Sequence, residues 1–180
     1  MHEYVALLRG VNVGGKSLDM ASVVELCGSL GLDAPRSYIQ SGNILFNLGA
    51  LAREGLEARL EREIREHLSF ELSVILRTRG ELAAIAAGNP FAGRMGAEPR
   101  SLYVTFLAAP AGEADAATLP PPGDSADQFR VAGAEIYLHC PGGYGRTLYS
   151  NSFFERRLGI PATTRNWNTV SKLLELARGE

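Results

Sequence analysis

Arg9, Asn12 and Lys16 cluster around the glycine-rich stretch Gly10-Val11-Asn12-Val13-Gly14-Gly15-Lys16-Ser17. Glycines let a backbone approach a ligand closely, and these side chains add hydrogen-bond donors, so the chemistry on offer is anion binding. The stretch also fits the phosphate-loop pattern, glycine, four residues, then Gly-Lys-Ser. That loop needs a helix starting at the Lys-Ser, where amides and dipole converge on phosphate. Here Leu18 and Asp19 intervene, and the apolar helical spacing starts only at Met20. No later strand ends in an acidic residue to hold magnesium, and nucleotide hydrolysis is disfavoured. A tight strand-to-helix turn, with Asn12 serving its own backbone, competes with the anion site.

Three further groups could line a site. Gln40, Ser41 and Asn43 flank Gly42, where turn chemistry explains Ser-Gly-Asn but leaves Gln40 unaccounted for. Tyr144 and Arg146 sit in the second glycine loop, Pro141 to Arg146, and could stack on a ring and bind a phosphate, although a mobile loop with no ligand is an equal explanation. Arg165 and Asn166 are read as opening the last helix, whose N-terminus would favour an anion, although caps are an equal explanation. Trp167 is read as the anchor packing that helix. No nucleophile–base–acid set stands out. His139 and Cys140 are adjacent on a strand and point to opposite faces, and His67 lies on a charged helix. Cys27 and Cys140 match no metal or disulfide spacing, and Cys27 falls on an apolar helix face. No metal or cofactor is expected, and catalytic residues stay unassigned.

The elements that must position these groups follow from periodicity. Tyr4 to Leu8 reads as a buried strand, and Asp19 as the N-cap of a helix with Met20, Val23, Val24 and Cys27 on its apolar face, ending at Gly31. Ser37 to Gln40 and Ile44 to Phe46 read as a hairpin around Gly42. Leu51 to Leu68 is helical, with Leu56, Leu60, Ile64 and Leu68 four apart and Glu61 pairing Arg65 on the solvated side. Leu72 to Leu76 closes the set, giving the order βαββαβ.

The second half reads as a looser copy: a helix from Glu81 to Ala87, a strand from Leu102 to Leu107, an Ala-rich piece from Glu113 to Leu119 and a hairpin around Gly133. Two more helices follow, Ser152 to Leu158 and one carrying Val170, Leu173, Leu174 and Ala177. The expected fold is α+β, with two ferredoxin-like, βαββ-type subdomains from an apparent duplication and mixed or antiparallel sheets covered by helices. The boundaries are residues 1–78 and 79–180, the second subdomain being diverged with extra C-terminal helices. The first strand is expected to run parallel to the third, so the glycine loop and the Gly42 hairpin fall at opposite sheet edges, about 15 Å apart. One compact site from both is then disfavoured unless the second half folds across.

Composition narrows the partners. The chain has 180 residues, 46% hydrophobic and 21% charged, with a net charge of -2. No global basic excess exists to hold nucleic acid by counterion release. No cationic leader or long apolar span is visible, so a cytoplasmic location without membrane contact is expected.

Leu7 to Lys16, Tyr38 to Asn43, His139 to Arg146 and Thr163 to Thr169 together resemble a bacterial family, domain of unknown function 1697. The resemblance spans nearly the whole chain and implies the two-subdomain fold. It implies no activity.

The function expected first is binding of a small anionic or phosphorylated ligand in a cleft lined by Arg9, Asn12, Lys16, Gln40, Ser41, Asn43, Tyr144, Arg146, Arg165 and Asn166. The alternative is an interaction or assembly module in which these residues are architectural. RNA binding ranks lower, because the third strand, Asn43 to Asn47, has one aromatic and no Arg or Lys. An enzyme of unspecified chemistry is the remaining class. Oligomeric state is not legible.

Overall fold

A computed structural model describes residues 2–13, 16–120 and 126–179, with the side chains of Asn12, Val13, Lys16 and Ala114 outside the description. The protein is α+β and contains two four-stranded antiparallel sheets. The chain divides into two compact units, Met1–Ala83 with Leu173–Glu180, and Ala84–Lys172. The first unit therefore includes the end of the last helix, which the sequence reading gives wholly to the second subdomain. Two bonds hold it there: the His2 amide donates to the Ala177 carbonyl at 2.9 Å, and Arg36 Nη2 to the Leu176 carbonyl at 2.9 Å.

The first unit runs β1 (Tyr4–Arg9), β2 (Asn12–Val13), β3 (Lys16–Ser17), α1 (Met20–Ser29), β4 (Asp33–Ser37), β5 (Asn43–Asn47), α2 (Leu56–Leu68) and β6 (Ser73–Thr78), followed by α3 (Arg79–Ala87). Its sheet has the order β4-β5-β1-β6. Alternation along β1 puts Ala6 and Leu8 on the face that also carries Ile44, Val74 and Leu76 in register. The recurrent Leu56, Leu60 and Ile64 of α2 and Met20, Val23 and Cys27 of α1 complete that core. Asp19 caps α1 as expected, its carboxylate accepting from the Ala21 and Ser22 amides. Gly55, at φ 71°, delays α2 to Leu56. Glu61 accepts from the Val74 amide at 2.8 Å, tying α2 to a sheet strand.

Strand direction corrects the sequence reading. β1 pairs antiparallel with β5, the third main strand. Because β5 is also antiparallel to β4, the helix crossover joins parallel strands β1 and β4, and the hairpin then reverses the chain between them. The parallel partner of the first strand is therefore the second. The hairpin's first arm is also displaced: β4 ends at Ser37, and Tyr38 to Gly42 form the turn.

The second unit runs β7 (Leu102–Leu107), α4 (Glu113–Ala117), β8 (Gln128–Ala132), β9 (Glu135–His139), α5 (Asn151–Leu158) and β10 (Ala162–Asn166), followed by α6 (Trp167–Arg178). Its sheet has the order β10-β7-β9-β8. β10 replaces part of the expected helix. Thr163 and Thr164 are β-branched and fit a pleated strand, and Thr164 Oγ1 meets Thr105 Oγ1 across the β7 pairing at 2.7 Å. One core of this unit gathers Leu107, Ile136, Leu138, Phe154 and Ala162 with the rings of Phe129 and Tyr149. The triple-proline break falls on residues 120–122, of which 121 and 122 lie outside the described residues. Among the described residues no helix is long and apolar enough to cross a membrane.

Candidate functional site

In the first unit the glycine loop and the Gly42 hairpin share one sheet end. Leu7 pairs with Asn43, and the Leu8 amide donates to the Gly42 carbonyl at 2.8 Å. The expected separation of about 15 Å is thus overturned, because it rested on the wrong strand direction. Contact is close enough to demand a glycine. A Cβ at Gly42 would stand 2.6 Å from Val11 Cγ2 and 2.9 Å from Leu8 Cβ, and φ there is +77°.

The hairpin's polar residues divide by role. Asn43 is fully buried, and its Nδ2 donates to the Tyr38 carbonyl at 3.1 Å and to Ser41 Oγ at 2.9 Å. The Tyr38 amide donates to the Asn43 carbonyl at 2.9 Å. Asn43 and Ser41 therefore fix the turn. Ile39 is 49% exposed and has φ +51°. A β-branched residue in the left-handed region stores strain that the turn must hold. Gln40 beside it is exposed, and Arg9 is half-buried at the strand exit.

The rest of the loop is no phosphate loop. Lys16–Ser17 pairs with Asn12–Val13 as a short antiparallel hairpin, so no helix begins at the lysine. The side chains of Asn12 and Lys16, and all of Gly14 and Gly15, lie outside the described residues. The α1 N-terminus already receives its anion, the Asp19 carboxylate, whose hydrogen bonds with Ser22 and Ala21 hold its pKa low.

Arg165 and Asn166 belong to β10, ahead of the helix they were expected to open. Arg165 is 7% exposed and donates from Nη1 to Thr163 Oγ1 at 2.8 Å and to the Thr164 carbonyl at 3.0 Å. Burial pulls its guanidinium down to about 10, still charged at neutral pH. Asn166 Oδ1 accepts from the Asn168 amide at 2.9 Å, the capping role, while its Nδ2 reaches the Arg100 carbonyl at 3.4 Å.

Tyr144 is similarly built into the second unit. Its ring lies 5.2 Å from that of Tyr103, and its hydroxyl donates to Thr164 Oγ1 at 3.0 Å while accepting from the Asn151 amide at 3.1 Å. Arg146 ends a short 3-10 turn, Tyr144–Arg146, and is exposed. The second glycine loop leaves β9, the third main strand of its sheet, whereas the first leaves β1. Cys140, Pro141, Gly142 and Gly143 form one side of an open cleft of 390 Å³, opposite Gly96, Glu98, Arg100 and Ser101. Of Arg9, Lys16, Arg146 and Arg165, the first two belong to the first unit and the others to the second.

Cysteine chemistry is muted. Burial pushes the Cys27 thiol up to about 12 and the Cys140 thiol up to about 11, so neither is a thiolate near neutrality. Among the described residues no group of three or more His, Cys, Asp and Glu is placed to hold a metal ion. The family model described as "Protein of unknown function (DUF1697)" matches residues 1–137.

The chain belongs to this family. No curated protein matches it significantly. A solved structure of the conserved bacterial protein SP0830 from Streptococcus pneumoniae is similar to this DUF1697 chain with a TM-score of 0.72. That likeness covers 99% of each chain at 24% identity and speaks to the fold alone.

The sequence reading missed the cleft wall formed by Glu98 and Arg100. Their spacing around Pro99 carried no motif, and only the pairing of Leu102 with His139 brings that stretch beside the second glycine loop. It also missed His2, which is buried and whose Nε2 lies 3.1 Å from the Ala34 carbonyl. A histidine at position 2 gives no periodic signal.

Proposed function

We propose that this DUF1697 protein binds a small anionic or phosphorylated ligand at the first-unit sheet end, where the glycine loop meets the Gly42 hairpin. The observation that carries this reading is the Leu8-to-Gly42 hydrogen bond, which brings two separate sequence motifs into contact. Arg9 supplies positive charge, exposed Gln40 supplies an amide, and the chain carrying Asn12 and Lys16 leaves from the same strand end. Ile39 in the left-handed region supports the reading, since strained turns cluster at binding sites. Ser41 and Asn43 act as the rigid support.

The test is thermal unfolding with inorganic pyrophosphate or adenosine monophosphate against sodium chloride of equal ionic strength. A ligand selective for the folded state raises Tm as its concentration increases. The rise should disappear in Arg9→Gln. No rise with either phosphate compound, or an equal rise in the variant, rejects the site.

A second reading, an assembly module, draws on Arg165. Its buried guanidinium, with the tyrosine–threonine–asparagine bonds around Tyr144, favours an architectural role for the second-unit motifs. RNA binding loses support because Phe46, the third strand's aromatic, is fully buried and stacked on Tyr4 at 5.8 Å.

We read the two units as ferredoxin-like subdomains related by duplication. Each runs βαββαβ, and each sheet places its fourth and third main strands on either side of the first. The Leu8 bond has a counterpart, the Leu107 amide donating to the Ala134 carbonyl at 2.8 Å. A cytoplasmic location fits two reduced, buried cysteines.

A further inference from the structure

The cleft of the second unit is lined by residues of that unit alone. Its two sides are joined where the Cys140 amide donates to the Ser101 carbonyl at 2.8 Å. Its 390 Å³ falls within the range of small-molecule pockets, about 300–1,000 Å³.

The glycines on its lip are not all explained by folding. Gly143 has φ +86° and Gly96 φ +83°, conformations that favour glycine. Gly142 has neither reason: its φ lies outside the left-handed region, and a Cβ there would meet nothing within 4 Å. A bare backbone facing open space is what close approach by a ligand requires.

The opposite wall carries one charge of each sign. Arg100 Nε lies 2.6 Å from Glu98 Oε2, with the two side chains 82% and 60% exposed. An ion pair so open to water is weak, so a ligand can part it at little cost. The main chain beneath is fixed. Ser101 Oγ donates to the Glu98 carbonyl at 2.7 Å, and the Arg100 carbonyl accepts from Tyr103 Oη at 3.0 Å. Two opposite charges on a rigid base match a ligand that also carries both. We infer that this cleft binds a small zwitterion of the amino-acid class. The carboxylate goes to Arg100, the ammonium to Glu98, and the ligand backbone lies along Gly142. A simple anion would meet Glu98, and a simple cation Arg100.

The test uses amide chemical shifts of the full chain titrated with glycine and L-glutamine, against acetate and ethylammonium. The zwitterions should move the Ser101, Gly142 and Gly143 amides and the single charges should not. Gly142→Ala, whose methyl would meet no protein atom within 4 Å, should weaken binding about tenfold at unchanged Tm. Arg100→Gln, at a largely exposed side chain, should abolish it and serves if Gly142→Ala alters folding. Absence of shifts with either zwitterion, an equal response to acetate, or unchanged binding in Arg100→Gln overturns the assignment.

Discussion

A methyl group at Gly42 would stand 2.6 Å from Cγ2 of Val11, nearer than real Cβ atoms approach. The glycine loop and the hairpin are therefore pressed together by a residue with no side chain. Gly42→Ala must displace Val11 and also hold an alanine at φ +77°. Combined overpacking and backbone strain should destabilise by about 3 kcal/mol, measured by urea unfolding. Gly10→Ala is the control, since φ is +91° but nothing lies within 4 Å of its Cβ. It should lose about 1 kcal/mol. Equal losses would show that contact with Val11 contributes nothing.

Arg165→Ala should destabilise by about 3 kcal/mol, because buried charge-assisted bonds to Thr163 Oγ1 and the Thr164 carbonyl are lost together and a cavity remains. Arg165→Lys should recover only part, as an ammonium cannot reproduce the planar fork. Guanidinium chloride denaturation of both variants checks this. A loss below about 0.5 kcal/mol for Arg165→Ala, typical of surface sites, would contradict the architectural role.

Legibility tracks periodicity. β1 and α2 were readable because Ala6 and Leu8 alternate and Leu56, Leu60 and Ile64 recur at helical spacing, both being consequences of one buried face. β10 was not. Arg165 and Asn166 look like the opening of the last helix, and only tertiary pairing with β7 makes them part of a strand. The same holds for the candidate site. Gly42 was identified as a turn glycine, yet its approach to Val11 depends on β5 lying antiparallel to β1, a topological fact that no local pattern carries. Arg165 was visible as a cation, while its burial was hidden by being placed on the wrong element.

Stability should fall with acid through His2. Burial, the largest cause, and then nearby Arg36 hold its pKa below 6.5, against the raising effect of the Ala34 carbonyl. The folded state therefore binds this proton less readily than the unfolded chain. Nothing is lost above pH 6.5, and stability drops as pH falls from there towards the lower folded value. Tm recorded between neutral pH and the acid side of that window should fall more steeply for the native chain than for His2→Gln. Parallel profiles would mean that His2 keeps its ordinary titration.

Both cysteines should resist alkylation in the folded protein. The Cys27 thiol is pushed up to about 12 and that of Cys140 up to about 11, and both side chains are buried. Reactivity needs the thiolate and access, and each is denied. Iodoacetamide at neutral pH should modify neither in native protein and both in guanidinium. Cys140 is the sharper case, because it lines the second-unit cleft. Its selective labelling in native protein would mean that the cleft wall opens, and protection of that label by glycine would then locate the zwitterion beside it.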